Sequence, residues 1–119
     1  MSEKKSIIKE KSFLFAKRII KLYQYITDSK KEFVITKQLL RSGTAVGALV
    51  REAQNAESRL DFIHKLGIAQ KECDKSLNWL QLLYESGYLK ENEFVSIQKE
   101  AADLLKMIRS AIITTKAKK

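Results

Sequence analysis

Residues 39–66, LLRSGTAVGALVREAQNAESRLDFIHKL, hold two glycines and four alanines in their first eighteen positions but no proline. That composition is compatible with a flexible linker, with a phosphate-binding loop, or with a helix that lets another segment come close. Apolar and small residues keep a heptad spacing through both glycines, in alternating steps of four and three. A linker has no reason to keep that register, and the sequence lacks the G-x-x-x-x-G-K-[ST] pattern of a phosphate loop. The stretch is therefore predicted to be helical.

Gly43 and Gly47 lie four residues apart, on one face of this predicted helix. Small residues at that spacing remove side-chain bulk and let a second backbone approach closely. Each interior glycine costs about 1 kcal/mol of helix propensity relative to alanine, so close packing is expected to offset the cost. The sequence leaves open whether the approaching backbone belongs to the same bundle or to another subunit.

Helical periodicity extends over the rest of the chain. Ser29 and Glu32 have the spacing of a capping box before the second segment, Ser58 precedes the third as a helix cap, and Gly87 suits a left-handed C-cap after it. Helices are predicted at about 6–27, 32–57, 59–86 and 91–114, with a basic tail at 115–119. Short loops between them predict an all-α fold, an antiparallel up-down-up-down four-helix bundle, as a single domain over residues 1–119.

The chain of 119 residues carries 23 basic and 14 acidic side chains, a formal net charge of +9. A basic chain favours anionic partners such as nucleic acid, although a lysine-rich surface that serves only solubility gives the same count. A single cysteine forms no internal disulfide, and neither a secretory signal nor a membrane-spanning apolar run is recognisable. We therefore expect a cytoplasmic protein that does not enter membranes.

The string KQLLRSGTAVGALVREAQNAESRLDFIHKLGIAQKE, followed by WLQLLYESGYL, resembles the four-helix-bundle family of proteins encoded in intervening sequences of bacterial 23S ribosomal RNA genes. The resemblance is close from about Phe33 to Leu89 and extends to the first and last helices only in pattern. Related sequences place an asparagine where this chain has Leu49, on the predicted seam of the second helix. The resemblance implies a ring-like homo-oligomer, a pentamer. It also implies similarity to the basic accessory subunits of diversity-generating retroelements, which bind nucleic acid and a reverse transcriptase.

Basic side chains are the candidates for contact with RNA or DNA. In an antiparallel bundle the start of the first helix and the end of the fourth lie at the same end, where basic residues of both termini would gather. No helix-turn-helix, zinc-finger or RNA-binding-sheet signature is recognisable, so binding is expected to be weakly sequence-specific and salt-sensitive. The candidate nucleic-acid-binding residues are Lys4, Lys5, Lys9, Lys11, Arg18, Lys21, Arg41, Arg51, Arg109 and Lys116.

A second apolar stripe on the third helix is separate from its core seam. Tryptophan is enriched at interface hot spots, and this stripe lacks the several aromatic residues of a base-stacking platform. An oligomer interface is therefore predicted, and the two glycines are included in it. Its residues are Ile68, Glu72, Trp79, Leu82, Gly43 and Gly47.

Candidate catalytic or metal-binding residues are few. His64 is the only histidine, and its pairing with Asp61 in DFIH falls short of a ferritin-like di-metal set. Cys73 is expected to be a buried structural thiol, and Glu52 and Glu72 are expected to form ion pairs that guide packing or assembly. No catalytic residue, metal or cofactor is predicted. The sequence favours a self-assembling, non-enzymatic nucleic-acid binder or, alternatively, a structural or adaptor oligomer for a protein partner.

Overall fold

Four long helices account for most of the chain that the computed structural model describes, which is residues 3–118 for the backbone and 7–118 for the side chains. The helices are α1 (Glu3–Tyr25), α2 (Ile35–Gln54), α3 (Arg59–Glu85) and α4 (Glu91–Ala117), and α1 continues into one π-helical turn at Ile26–Lys30. No strand occurs among the described residues. The all-α prediction is confirmed.

Consecutive helices run antiparallel. Between α2 and α3, Ser42 hydrogen-bonds Ser76 at 2.9 Å and Glu52 pairs with Lys65 at 3.1 Å, so later residues of α2 meet earlier residues of α3. Each helix packs closely on its neighbour in sequence, while α1 and α4 pack less closely and close the bundle. The result is a rod of 50 × 21 × 19 Å, and the predicted four-helix bundle is confirmed.

The junction before α2 differs from the predicted capping box. Lys31 has a positive φ of 57°, which ends the π-helical turn. The Glu32 carboxylate then accepts hydrogen bonds from the backbone N–H groups of residues 34–36 at 3.1, 2.9 and 2.8 Å. Glu32 therefore caps α2 without a contribution from Ser29, and α2 begins at Ile35, three residues later than predicted. The chain reversal at Lys31 places the carboxylate ahead of the helix, which spacing alone did not reveal.

The other two capping predictions are confirmed. Ser58 is extended, and its hydroxyl accepts a 3.0 Å hydrogen bond from the Asp61 N–H at the start of α3. Gly87 follows α3 with a φ of +88°, a conformation that side chains rarely adopt. The ends of two helices differ by three residues from the prediction, since α2 ends at Gln54 and α4 continues to Ala117.

Each helix contributes one stripe to a common core. In α2 the buried stripe includes Gly43 and Val50, whereas Leu49 is half-buried on the flank and only partly packed against the core. The predicted seam passed through Leu49, and it was wrong at this position because α1 packs on the glycine side of α2. The largest fully buried side chains are Phe15, Ile19, Ile26, Leu39, Val46, Val50, Leu66, Leu80, Leu83, Ile97, Leu104 and Ile108.

The two glycines of α2 allow α1 to come close. A Cβ atom added at Gly43 would lie 2.8 and 2.9 Å from the two γ-carbons of Ile19, and one added at Gly47 would lie 3.3 Å from the Ser12 carbonyl oxygen. Both contacts are with α1 of the same chain, so the close approach is made within the bundle. This corrects the placement of Gly43 in an oligomer interface, since Gly43 is buried. Gly47 is half-covered by α1, and its place in such an interface stays a prediction.

Candidate nucleic-acid interface

Charge is divided unequally between the two layers of the bundle. The α1–α2 layer, residues 7–54, carries ten basic and four acidic side chains, whereas the α3–α4 layer, residues 59–117, carries nine basic and eight acidic ones. The net charges are therefore +6 and +1. Because α1 packs closely on α2, the excess of positive charge is concentrated on one side of the molecule.

Two of the four acidic side chains in the α1–α2 layer already have partners within the protein. The Glu32 carboxylate caps α2, and Glu52 forms its ion pair with Lys65 of α3. Glu10 and Asp28 are exposed. The layer therefore has few carboxylates left to neutralise its own cations.

The cations on the outward side of α1 and α2 are exposed. None of them forms an ion pair with another described residue. The basic partners in the ion pairs among the described residues are Arg18, Lys65, Lys75 and Lys99. We name this surface the α1–α2 face and define it by Lys9, Lys17, Lys37, Arg41 and Arg51.

Sequence reasoning found three residues of the α1–α2 face and missed two. Lys9, Arg41 and Arg51 were predicted to bind nucleic acid, and the structure places them on this face. Lys17 and Lys37 were not predicted, although a helical wheel sets each of them away from the core stripe of its helix. Their place on the α1–α2 face depends on which helices pack beside α1 and α2, and only the structure shows that.

Arg18 lies in the seam between α1 and α4. Its guanidinium donates hydrogen bonds to the carboxylates of Glu93 and Glu100 at 3.2 and 2.9 Å and to the Ser96 hydroxyl at 2.9 Å. These contacts hold α1 to α4, where the helices otherwise pack less closely. Arg18 therefore serves packing and is not the free cation that the sequence suggested. Lys21 lines a cleft in the same seam, away from the α1–α2 face.

The predicted cluster at the chain termini is spread around one end of the bundle. Lys9 and Lys11 are two residues apart on α1, which puts them on nearly opposite sides of a helix. Lys9 belongs to the α1–α2 face, whereas Lys11 lines the α1–α4 seam together with Asp103. The two lysines thus do not form one surface.

The other predicted members of that cluster lie at the same end. Arg109 and Lys116 are exposed on the C-terminal half of α4. Lys4 and Lys5 belong to α1, but their side chains fall outside the described residues. Arg109 and Lys116 therefore form a separate and smaller basic surface on the α3–α4 layer.

The Trp79 stripe consists of Ile68, Glu72, Trp79 and Leu82. It lies on the side of α3 next to α2, because Lys65, Glu72 and Trp79 follow one another at seven-residue spacing and Lys65 contacts α2. Trp79 packs partly against the core, the Glu72 side chain is 20% exposed and pairs with Lys75 at 3.1 Å, and Leu82 is 41% exposed. The stripe therefore combines a half-buried indole, a half-buried carboxylate and an exposed leucine.

The residues considered for catalysis or metal binding occupy structural or exposed positions. Cys73 is buried, its thiol contacts the Ala101 carbonyl at 3.4 Å, and burial raises the pKa of this thiol to about 12. The Asp61 carboxylate accepts a hydrogen bond from the Glu57 N–H at 3.4 Å next to the cap of α3, and His64 is exposed. Within the described residues, His, Cys, Asp and Glu side chains do not gather in groups of three that could hold a metal ion.

A family model described as 23S rRNA-intervening sequence protein matches residues 4–110. The chain belongs to this family. The match includes α1 and most of α4, which sequence reasoning had related to the family only in pattern. The 23S rRNA-intervening sequence protein family thus accounts for the whole bundle rather than for its central helices alone.

A solved structure supports the same assignment. It is that of a protein of unknown function from the S23 ribosomal protein family of Bacteroides thetaiotaomicron. It is 44% identical in sequence and superposes with a TM-score of 0.90, and the match covers 92% of this chain and 97% of that chain. No significant match was found among proteins with curated descriptions. Over the described length of the chain, no helix is long and apolar enough to cross a membrane.

Proposed function

We propose that this member of the 23S rRNA-intervening sequence protein family is a non-enzymatic protein that binds RNA or DNA through the α1–α2 face. The supporting observation is the concentration of positive charge there, in cations that have no carboxylate partner among the described residues. Such cations are available to phosphates, and their binding releases the counterions that a nucleic acid holds. Phosphate contacts carry no sequence information directly, so the binding is weakly specific. The proposal assigns the protein to the cytoplasm, where a lone thiol stays reduced.

Replacing Lys37, Arg41 and Arg51 together with glutamine is expected to weaken the binding of a structured RNA and of duplex DNA. Each lost phosphate contact makes the slope of log affinity against log salt shallower by about 0.7 to 0.9. The triple variant should therefore show a slope that is shallower by about 2 to 3. Fluorescence anisotropy titrations between about 50 and 200 mM salt measure this slope.

A triple variant with the same loss of charge on the other layer is the matched control. Lys71, Lys90 and Lys106 are exposed and form no ion pair with described residues. Their replacement with glutamine should change the salt slope by less than about 1. Equal losses in the two triple variants would assign binding to net charge alone, and the absence of any complex at about 50 mM salt would remove the nucleic-acid proposal.

The Trp79 stripe favours a second candidate function, that of an oligomer which serves as an adaptor for a protein partner. Tryptophan at the centre of a partly apolar surface is typical of interface hot spots. The half-buried Glu72 carboxylate adds a charged group that would select its partner. The resemblance described above adds a ring-like pentamer as the expected assembly and a reverse transcriptase as one class of protein partner.

Leu82→Glu is expected to dissociate such an oligomer into monomers, because it places a carboxylate on an apolar contact surface. Leu82 is 41% exposed, so the bundle itself should fold. Val95→Glu is the matched control, since Val95 is 55% exposed on α4. Light scattering at micromolar concentration measures the mass, and a monomeric unsubstituted protein would eliminate this candidate.

A further inference from the structure

Phe13 presents an aromatic ring to solvent beside the α1–α2 face. Its side chain is 60% exposed. The helices are in close contact at this level, since a Cβ atom at Gly47 would lie 3.3 Å from the Ser12 carbonyl oxygen and 3.9 Å from the Phe13 backbone nitrogen. Little space therefore remains between α1 and α2 for the ring, which projects outward.

Lysines flank this ring along α1. Lys9 and Lys17 lie one helical turn before and after Phe13, at positions that are neighbours on a helix surface. The Lys17 Nζ atom lies 6.0 Å from the ring centroid. On α2, Arg51 lies one helical turn after Gly47, the glycine that packs against α1 at this level. Glu10 is the only acidic residue within four positions of Phe13, so the two lysines outnumber the carboxylates on this part of α1.

A partner of this surface must combine a flat apolar group with negative charge. An unpaired nucleobase has a face that stacks on aromatic side chains, and the phosphates on either side of it pair with lysine and arginine. A base within a duplex is already stacked on its neighbours and cannot offer that face. The ring and its cations therefore fit a single strand better than a double helix.

We infer that Phe13 stacks on an unpaired base of single-stranded RNA or DNA, while Lys9 and Lys17 hold the adjacent phosphates. The inference rests on the proposed function and deepens it. It distinguishes the single strand, which uses the ring and the cations together, from the duplex, which uses the cations alone. On binding, the Lys17 ammonium group moves from the ring to a phosphate.

Phe13→Ala is expected to weaken the binding of a 12-nucleotide oligouridine and of a 12-nucleotide oligothymidine by about 5- to 150-fold, the effect of removing one stacked base. The affinity for a 12-base-pair duplex should stay within about twofold, because phosphate contacts are retained. Phe13→Leu should behave like Phe13→Ala, since it keeps the apolar bulk without the ring. Phe13→Trp should bind both single strands at least as tightly as phenylalanine does. Anisotropy titrations at one salt concentration measure all of these affinities.

Ile20→Ala is the matched control, because Ile20 is an exposed apolar side chain of α1, 41% exposed and without a ring. It should leave both affinities unchanged. Equal weakening of single strand and duplex by Phe13→Ala, or no weakening, overturns this inference and leaves the proposed function in place. A smaller oligomer mass for Phe13→Ala by light scattering also overturns it, since Phe13 would then be a subunit contact. Failure of the unsubstituted protein to bind either form removes the proposed function itself.

Discussion

Gly43→Ala is expected to lower the free energy of unfolding by up to about 2 kcal/mol, although alanine is the better helix former. The added Cβ atom would lie 2.8 and 2.9 Å from the γ-carbons of Ile19. Ile19 is fully buried, so its side chain cannot turn toward solvent to make room. Overpacking of this kind costs about 1 to 3 kcal/mol, which outweighs the gain of about 1 kcal/mol in helix propensity. Urea denaturation followed by circular dichroism measures the difference.

Gly67→Ala is the matched control and should have the opposite sign. An added Cβ atom at Gly67 meets nothing within 4 Å, so the helix propensity gain of about 1 kcal/mol should appear as added stability. Gly47→Ala should fall between the two, because its Cβ contact of 3.3 Å is tight without being a clash. If Gly43→Ala stabilised the protein as much as Gly67→Ala, α1 would not pack against α2 in the way described.

Ile19→Ala is expected to lower the free energy of unfolding by about 2 to 5 kcal/mol, the largest single effect predicted for this protein. The isoleucine is fully buried where α1 packs on α2. Its truncation removes buried apolar atoms and leaves a cavity that the neighbouring side chains fill only partly. Ile20→Ala is the control next in sequence. Because Ile20 is 41% exposed, its truncation should cost less than about 1 kcal/mol.

The effects of Ile19→Ala and Gly43→Ala are expected to be non-additive. The first substitution removes the γ-carbons that obstruct the Cβ atom introduced by the second, so the double variant should lose less stability than the sum of the single losses. Residues in direct contact show coupling energies of about 0.5 to 3 kcal/mol. A sum that holds within about 0.5 kcal/mol would mean that the two positions do not touch.

The helices and most of their caps could be predicted because the signals are local. Ser58 caps α3 through a hydrogen bond to Asp61, three residues away, and Gly87 adopts a positive φ directly after that helix. The way in which Glu32 caps α2 could not be predicted in full. Its carboxylate reaches α2 only because the chain reverses at Lys31, and a positive φ at lysine has no signal in the sequence.

The candidate nucleic-acid-binding surface could be predicted only in part. Lys17 and Arg18 are adjacent and similar in chemistry, yet Lys17 faces solvent and Arg18 bonds to carboxylates of α4. Nothing local separates them, because the carboxylates lie 75 and 82 residues away in the chain. Phe13 presents the same difficulty. It follows the apolar periodicity of α1, and only the tight contact at Gly47 leaves its ring outside.

By itself, the sequence determined four helices, their antiparallel order and a glycine-bearing face on α2 that requires a close neighbour. These features depend on backbone hydrogen bonds and on an apolar stripe within one helix, so a short window of residues contains the information. Only the tertiary structure established that α1 of the same chain is the neighbour of Gly43 and Gly47, and that the cations of the α1–α2 face form no ion pair with another described residue. Which helix covers a given face depends on the apolar surface that the whole bundle buries, and no single stretch of the chain contains that information.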